Sequence, residues 1–438
     1  MRFASRMAPQ AIDMIKPADH DKPKKGTKTA EKTRAAKAAN GVKPEPTNQP
    51  VPTAAPPERV RLGMVGGGEG AFIGAVHRMA ARLDGHYDFV AGALASSTDK
   101  ALRSGRALGL DTDRTYADFE TMARAESARP DGIEAVSIVT PNHLHAPVAR
   151  AFLKAGIHVI CDKPVTTTSA DARQLLKLAT KHGRIFALTH NYTGYPMVRH
   201  ARQMVAQGEL GEIRVVQVEY PQDWLTEPLE STGQKQAAWR VDPAQSGAGG
   251  CIGDVGTHAY NLADYITGID VQELCAELTH FVPGRRLDDN AQVMLRYANG
   301  ARGALWSCQV APGNENNLRI RVYGSRGGIE WRQEHPNQLQ WSPFGQATQT
   351  LSRATGAANA SAARVTRIPS GHPEGYLEGF ATLYAEIAQA IRAARPGGAA
   401  ADPAAHFPTI VDGVKGMAFL DAVVASSGKG GRWVKLAR

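Results

Sequence analysis

Val60-Arg61-Leu62-Gly63-Met64-Val65-Gly66-Gly67-Gly68-Glu69-Gly70-Ala71 is a short apolar run that breaks into glycine. Val60–Val65 has the length and content of a buried strand, and Ala75–Leu83 beyond it is spaced as an amphipathic helix. Between them Gly66–Ala71 fits G-x-G-x-x-A, with Gly74 three residues on. Glycine closes such a turn sharply, lets backbone approach a pyrophosphate, and leaves helix N–H groups facing anionic oxygens. Alone, the motif marks an ordinary turn about as often as a binding site. A strand before it and a helix after it tip the reading toward a dinucleotide crevice, with Gly66, Gly68, Ala71, Phe72 and Ile73 as cofactor contacts.

The same alternation continues outward. Phe89–Ala95, Ala135–Val139, Ile157–Cys161 and Phe186–Thr189 read as strands; Asp99–Leu108, His145–Ala155 and Ser169–His182 read as helices between them. Strands alternating with helices of this length predict an α/β domain with a doubly wound parallel sheet over 59–190. After Asn191 the rhythm changes. Ile213–Tyr220, Val271–Phe281, Asn290–Tyr297, Ala301–Val310, Leu318–Tyr323 and Gly328–Arg332 follow one another as strands, some joined by turns such as Asn299-Gly300. This predicts an α+β domain over 191–438 with a large, mostly antiparallel sheet, a loop over Ala347–Ser370, and helices over Glu374–Arg395 and Thr409–Ser426.

The chain has 438 residues and a formal net charge of +9, which taken whole suggests a nucleic-acid partner. The charge is unevenly placed. Residues 1–58 hold eleven Lys and Arg against six Asp and Glu, a net +5, whereas the other 380 residues carry only +4. That segment is rich in Pro, Ala, Lys and Thr and poor in large apolar residues, so it reads as a disordered basic arm. No secretory signal interrupts this reading, since Met7–Ile15 is broken by Pro9, Gln10 and Asp13. Four scattered cysteines without a C-x-x-C pair argue against disulfides or a metal knuckle. The expectation is a cytoplasmic protein that binds neither nucleic acid nor membrane and holds no metal.

Three further clusters fall at strand ends, where doubly wound sheets hold ligands. They are Thr140-Pro141-Asn142-His143-Leu144-His145, Cys161-Asp162-Lys163-Pro164, and Gly249-Gly250-Cys251-Ile252-Gly253-Asp254-Val255-Gly256-Thr257-His258. In the last, Asp254 and His258 are four apart and share a face if helical. The second strand ends in Ser96-Ser97-Thr98 with no carboxylate before Asp99, so NAD and NADP both remain open. Ser96 and Ser97 are the candidate ribose contacts.

With these pieces in T-P-N-x-x-H, D-K-P, Trp239-Arg240-x-Asp242 and G-G-x-x-x-D-x-G-x-H order, the chain resembles the Gfo/Idh/MocA oxidoreductases over residues 59–438. The resemblance implies a Rossmann domain that binds NAD or NADP and a second domain that carries the substrate. It also implies assembly as a dimer or tetramer through the open face of the second sheet. Carried over by position, Lys163, Asp254 and His258 form the catalytic trio. His258 would be the acid/base, Lys163 would stabilise charge on the reacting oxygen, and Asp254 would orient the pair and bond a neighbouring substrate hydroxyl. Thr140, Pro141, Asn142, His145 and Asp162 join Lys163 as cofactor contacts, and a cis Lys163–Pro164 bond is expected.

Tyr192, Trp239 and Arg240 are the substrate candidates, joined by Asp254, His258 and, more weakly, His372 and Glu374. Asp162 stands where the family usually has Glu, and Asn261 where many members have a further Asp. The substrate expected is a sugar, anhydrosugar or cyclitol, oxidised or reduced at a carbinol. Two alternatives stand beside it: an NAD-dependent glycoside hydrolase of the same fold, and a non-catalytic nucleotide-sensing regulator.

Overall fold

The structure is a computed structural model that describes residues 58–437. The arm expected over 1–58 lies outside the described residues except for Glu58. The first half contains β1 (Val60–Gly66), α1 (Phe72–Leu83), β2 (Tyr87–Ala93), α2 (Thr98–Ala107), α3 (Phe119–Ala128) and β3 (Ala135–Val139). α4 (His145–Lys154), β4 (His158–Cys161), α5 (Ser169–His182) and β5 (Phe186–Leu188) follow. The strands form one parallel sheet in the order β2-β1-β3-β4-β5. β3 is buried at all five positions, as expected of a parallel strand covered on both faces. From β1 the chain moves outward to β2, then crosses to β3 on the other side. The connections therefore diverge above the C-terminal ends of β1 and β3, and a crevice opens there.

The second half runs through α6 (Pro196–Ala206), β6 (Ile213–Pro221), α7 (Lys235–Arg240), α8 (Pro243–Ser246), α9 (Thr257–Thr267), β7 (Val271–Thr279), β8 (Asn290–Tyr297) and β9 (Arg302–Cys308). Next are β10 (Arg319–Gly324), β11 (Gly327–Arg332), β12 (Gln338–Pro343), β13 (Gln349–Ser352), α10 (Ala360–Arg364), α11 (Tyr376–Ala393), α12 (Ile410–Ser427) and β14 (Val434–Lys435). Nine strands make a second sheet, β13-β12-β11-β10-β6-β9-β8-β7-β14, antiparallel except for the β6–β9 pair. Along β6, Val216, Val218 and Tyr220 are buried, while Val215, Gln217 and Glu219 alternate outward. One face is therefore packed, under α6, α9 and α12, and the other is free.

Several stretches differ from the sequence reading. Residues 347–370 contain β13 and α10 rather than continuous loop, and β12 precedes them. Gln349-Thr350-Leu351-Ser352 is an edge strand without apolar alternation, and α10 is five residues started by the Asn359 side chain, which accepts from Ala362 N–H. Neither leaves a periodic signal. The helices α3 and α6 are likewise additions.

The chain also returns to the first sheet after completing the second. α11 packs against α1, where the Tyr384 hydroxyl bonds His77 Nδ1 at 2.8 Å and Ser137 Oγ at 2.7 Å. α12 lies along α5, and Leu188 N–H donates to the Pro408 carbonyl at 2.8 Å. Residues 376–427 thus supply cover to the parallel sheet.

α11 is tied to α6 by a buried ion pair, with Arg199 Nη1 and Nη2 donating to Glu386 Oε1 and Oε2 at 2.6 and 2.8 Å. Removing one partner leaves the other charge buried and unpaired, which costs about 3–5 kcal/mol. Glu386→Gln is expected to lower unfolding stability by that amount in a denaturant titration. A loss under about 1 kcal/mol, the worth of an exposed pair, would contradict this account.

Candidate active site

A cleft of about 1430 Å³ runs over the C-terminal ends of the parallel strands and on to the second sheet. A pocket for one small molecule holds roughly 300–1,000 Å³, so this space suits a dinucleotide together with a second molecule. Its first wall is the glycine turn. Gly66 and Gly67 have φ of +80° and +71°, and α1 packs so close that a Cβ on Gly74 would lie 2.3 Å from the Gly67 Cα. No side chain caps the N-terminus of α1, and Ala71, Phe72 and Ile73 line the cleft. Uncapped N–H groups on a positive helix end fit the phosphates of a dinucleotide.

Gly66, Ala71, Phe72, Ile73, Ser96, Thr140, Pro141, Asn142, Asp162 and Lys163 all line this space. Gly68, Ser97 and His145 do not. Gly68 donates to the Leu94 carbonyl at 3.1 Å, and a Cβ there would meet that oxygen and Ser104 Oγ at 2.6 Å, so its smallness serves packing against α2. Ser97 is exposed at the start of α2. His145 is buried, with Nδ1 2.7 Å from the Pro164 carbonyl and Nε2 2.9 Å from that of Thr140. It braces two strand ends from behind, and its neighbour His143 lines the cleft instead. Lys100 also lines the cleft, beside Ser96.

The second wall carries the trio. The helix bearing Asp254 and His258 passes through a wide π turn, Ile252–Gly256, before α9, a form concentrated at functional sites. Its start is fixed by Asp288: Oδ1 accepts from Gly250 N–H at 2.6 Å and Oδ2 from Ile252 N–H at 2.8 Å. A Cβ on Gly250 would lie 2.0 Å from the Asp288 carbonyl oxygen, which explains the glycine.

Lys163 reaches this turn from just beyond the end of β4, immediately before the cis Lys163–Pro164 bond. Its Nζ donates to Asp254 Oδ1 at 2.6 Å and to the Asp254 carbonyl at 2.8 Å. Asp254 Oδ2 accepts from Arg240 Nε at 3.1 Å and Gln309 Nε2 at 2.9 Å. The Arg240 guanidinium in turn lies 4.3 Å over the Trp239 ring. Burial opposes charge on Asp254, but the Lys163 ammonium and Arg240 guanidinium outweigh it and hold the carboxyl far below the usual range. Asp254 is thus satisfied by protein groups. An ammonium has three N–H donors, so Lys163 keeps one.

His258 is buried yet lines the cleft. Burial first, then the Lys163 ammonium and His190, push its pKa well below 6.5, with Asp254 opposing, so the ring is neutral at neutral pH. Its Nδ1 lies 3.3 Å from His190 Nδ1, and among the described residues no hydrogen bond reaches its Nε2 from protein. Tyr192 stands beside it, ring centroids 4.9 Å apart, bonded through its hydroxyl to Tyr220, whose hydroxyl donates to Asn316 Oδ1 at 2.7 Å.

Tyr192, Trp239 and Arg240 line the cleft; His372 and Glu374 do not. His372 is exposed, and Glu374 is buried in a loop cluster, its Oε1 3.0 Å from Arg353 Nη1 and accepting from Arg367 N–H at 2.7 Å. Sequence reading missed His190, Tyr220, Gln222, Trp224, Gln309 and Asn316. His190 follows β5, and the others sit on or beside strands of the second sheet, where alternation marks a strand but not which side chain faces the cleft.

A dinucleotide cradle facing a Lys–Asp–His cluster is the site of a nicotinamide-dependent oxidoreductase. Residues 60–190 match the oxidoreductase family with an NAD-binding Rossmann fold, and residues 198–330 match the GFO/IDH/MocA C-terminal domain. The chain belongs to the Gfo/Idh/MocA family. It is 35% identical to an uncharacterized oxidoreductase, YfiI, of Bacillus subtilis (strain 168), covering 86% of this chain and 96% of that one. A solved oxidoreductase from Sinorhizobium meliloti is 55% identical, with TM-score 0.79, covering 86% of this chain and all of the other. An inositol dehydrogenase homologue from Azotobacter vinelandii, solved with NADH and myo-inositol, is 38% identical with TM-score 0.82, covering 86% and 98%. Among the described residues no helix is long and apolar enough to cross a membrane.

Burial also holds other histidines neutral: His77 and His158 are lowered from 6.5 to about 4, and His190 to about 3. Above pH 6.5 neither folded nor unfolded chain protonates them. Between 6.5 and about 4 the unfolded chain takes up protons that the fold refuses, so stability falls with pH. Each contributes a slope of up to about 1.4 kcal/mol per pH unit. Melting temperature is expected to decline steadily from pH 6.5 to 4.5; a flat profile would refute the neutral assignment.

Proposed function

We propose that the protein is an NAD-dependent dehydrogenase that transfers hydride between a carbinol of a cyclitol, sugar or anhydrosugar and the nicotinamide. The observation that carries this reading is the convergence of an unspent Lys163 N–H and an unbonded His258 Nε2 on one cleft, opposite the glycine cradle. NAD, when bound, supplies the hydride acceptor. Gly66 and the N-terminus of α1 are assigned to its phosphates, with Thr140, Asn142 and Asp162 along its path. His258 takes the hydroxyl proton at Nε2, which a neutral ring does. Lys163 donates its third N–H to the same oxygen and stabilises the charge that develops on it. Asp254 anchors Lys163 rather than spending its oxygens on substrate.

Relatives support the substrate class: the A. vinelandii homologue was solved with myo-inositol, and a levoglucosan dehydrogenase, 26% identical with TM-score 0.74, was solved with NADH and levoglucosan. Trp224 and Trp239 offer aromatic faces in the cleft for an apolar ring face. The free face of the large sheet, where Val215, Met294 and Tyr323 are exposed, is assigned to self-association.

A panel of myo-inositol, levoglucosan and simple sugars, run with NAD and NADP separately, is expected to give net reduced nicotinamide. Its absence throughout would favour a redox-neutral reaction instead. Lys163→Ala and His258→Ala should each cut kcat by about 10²–10⁴-fold while leaving NAD binding intact by titration calorimetry. Light scattering should report a dimer or tetramer; a monomer at micromolar concentration would overturn the assignment of the free sheet face.

A further inference from the structure

We infer that His190 is a positioning residue that fixes the tautomer of His258, accepting at its own Nδ1 the proton that His258 carries on Nδ1. The inference rests on His258 being the base, and adds to that reading what makes the base competent.

The two Nδ1 atoms lie 3.3 Å apart between buried rings set edge to face, with centroids 5.1 Å apart at 83°. A hydrogen bond between two imidazole nitrogens needs one N–H and one lone pair, so the tautomers of the rings are coupled. A base must present a bare nitrogen to the cleft, and His258 Nε2 is the nitrogen without a protein partner among the described residues. Its single proton then sits on Nδ1 and points at His190, which must hold its own on Nε2. When the substrate O–H bond breaks and the proton arrives at His258 Nε2, the Nδ1–H bond is unchanged. The same contact therefore serves both charge states of the base.

No other neighbour fills this role. The groups facing His258 are Tyr192 and Tyr220, whose rings pack against it, the Lys163 ammonium, the Asp254 carboxylate, and His190. Lys163 and Asp254 are committed to each other. His190 stands on a hydrogen-bonded turn after β5: its backbone N–H donates to the Leu188 carbonyl at 3.0 Å, and its backbone carbonyl accepts from Thr193 Oγ1 at 2.9 Å. A carboxylate in its place would strengthen the base but would bring a second anion close to the Lys163–Asp254 pair. A neutral imidazole orients the ring without adding charge.

The test compares His190→Phe, which keeps bulk and removes the acceptor, with His190→Asn, which restores an acceptor near the same point. His190→Phe should lower kcat by about 10–100-fold, by analogy with the loss of the partner that orients a metal-bound histidine, with KM for NAD unchanged. His190→Asn should recover most of the loss. His190→Asp should move the acid limb of the kcat–pH profile upward. If His258→Ala is inactive but His190→Phe keeps the parent kcat and pH profile, this inference fails and the base assignment stands; an active His258→Ala sinks the base assignment itself. Long-range ¹⁵N NMR of the histidine-labelled parent gives an answer independent of variant folding. A proton on His258 Nδ1 and a bare Nε2 are expected, and the reverse would overturn the proposal.

Discussion

The 2.6 Å bond between Lys163 Nζ and Asp254 Oδ1 joins the two halves of the molecule at the place where the chemistry is assigned. Lys163 comes from the end of a parallel strand; Asp254, Arg240 and Gln309 come from the other side of the cleft. Both side chains are mostly buried, at 13% and 15% exposure. A buried carboxylate left unpaired is costly, so the three donors around Asp254 are a structural requirement before they are a catalytic one. The geometry of each remaining group follows from it. Lys163 is left with one donor facing the cleft, and His258, one helical turn beyond Asp254, is turned toward the same space.

The same burial sets the charge pattern of the site. A cation and an anion survive because they hold each other, while the histidines around them lose their protons. A charged imidazole beside Lys163 would repel it, and a neutral one is free to receive a proton. Low dielectric thus sorts adjacent groups into a fixed ion pair and a neutral imidazole.

Much of the fold was legible because its signals are local. The strand–glycine–helix sequence at 60–83, the all-apolar β3, and the helix over 169–182 are each determined by neighbours in the chain. Lys163, Asp254 and His258 were legible through short motifs with backbone reasons of their own, such as Gly250 against the Asp288 carbonyl. What stayed hidden depends on distant partners. Gln309 and Asn316 gain meaning only when strands far apart in sequence align. Gly68 and His145 fit motif positions, yet tertiary packing turns one toward α2 and the other toward two carbonyls. Glu374 looked like a substrate contact from its turn sequence, but Arg353 and two backbone amides occupy it. The helix pair over 376–427 was read as helical, though nothing in its periodicity says which sheet it covers.

That return has a mechanical consequence. The chain passes between the two sheets near residue 190 and again before α11, and α12 then packs on α5 and β7 together. The two walls of the cleft are thereby held to one spacing by several separated fastenings rather than by a single linker.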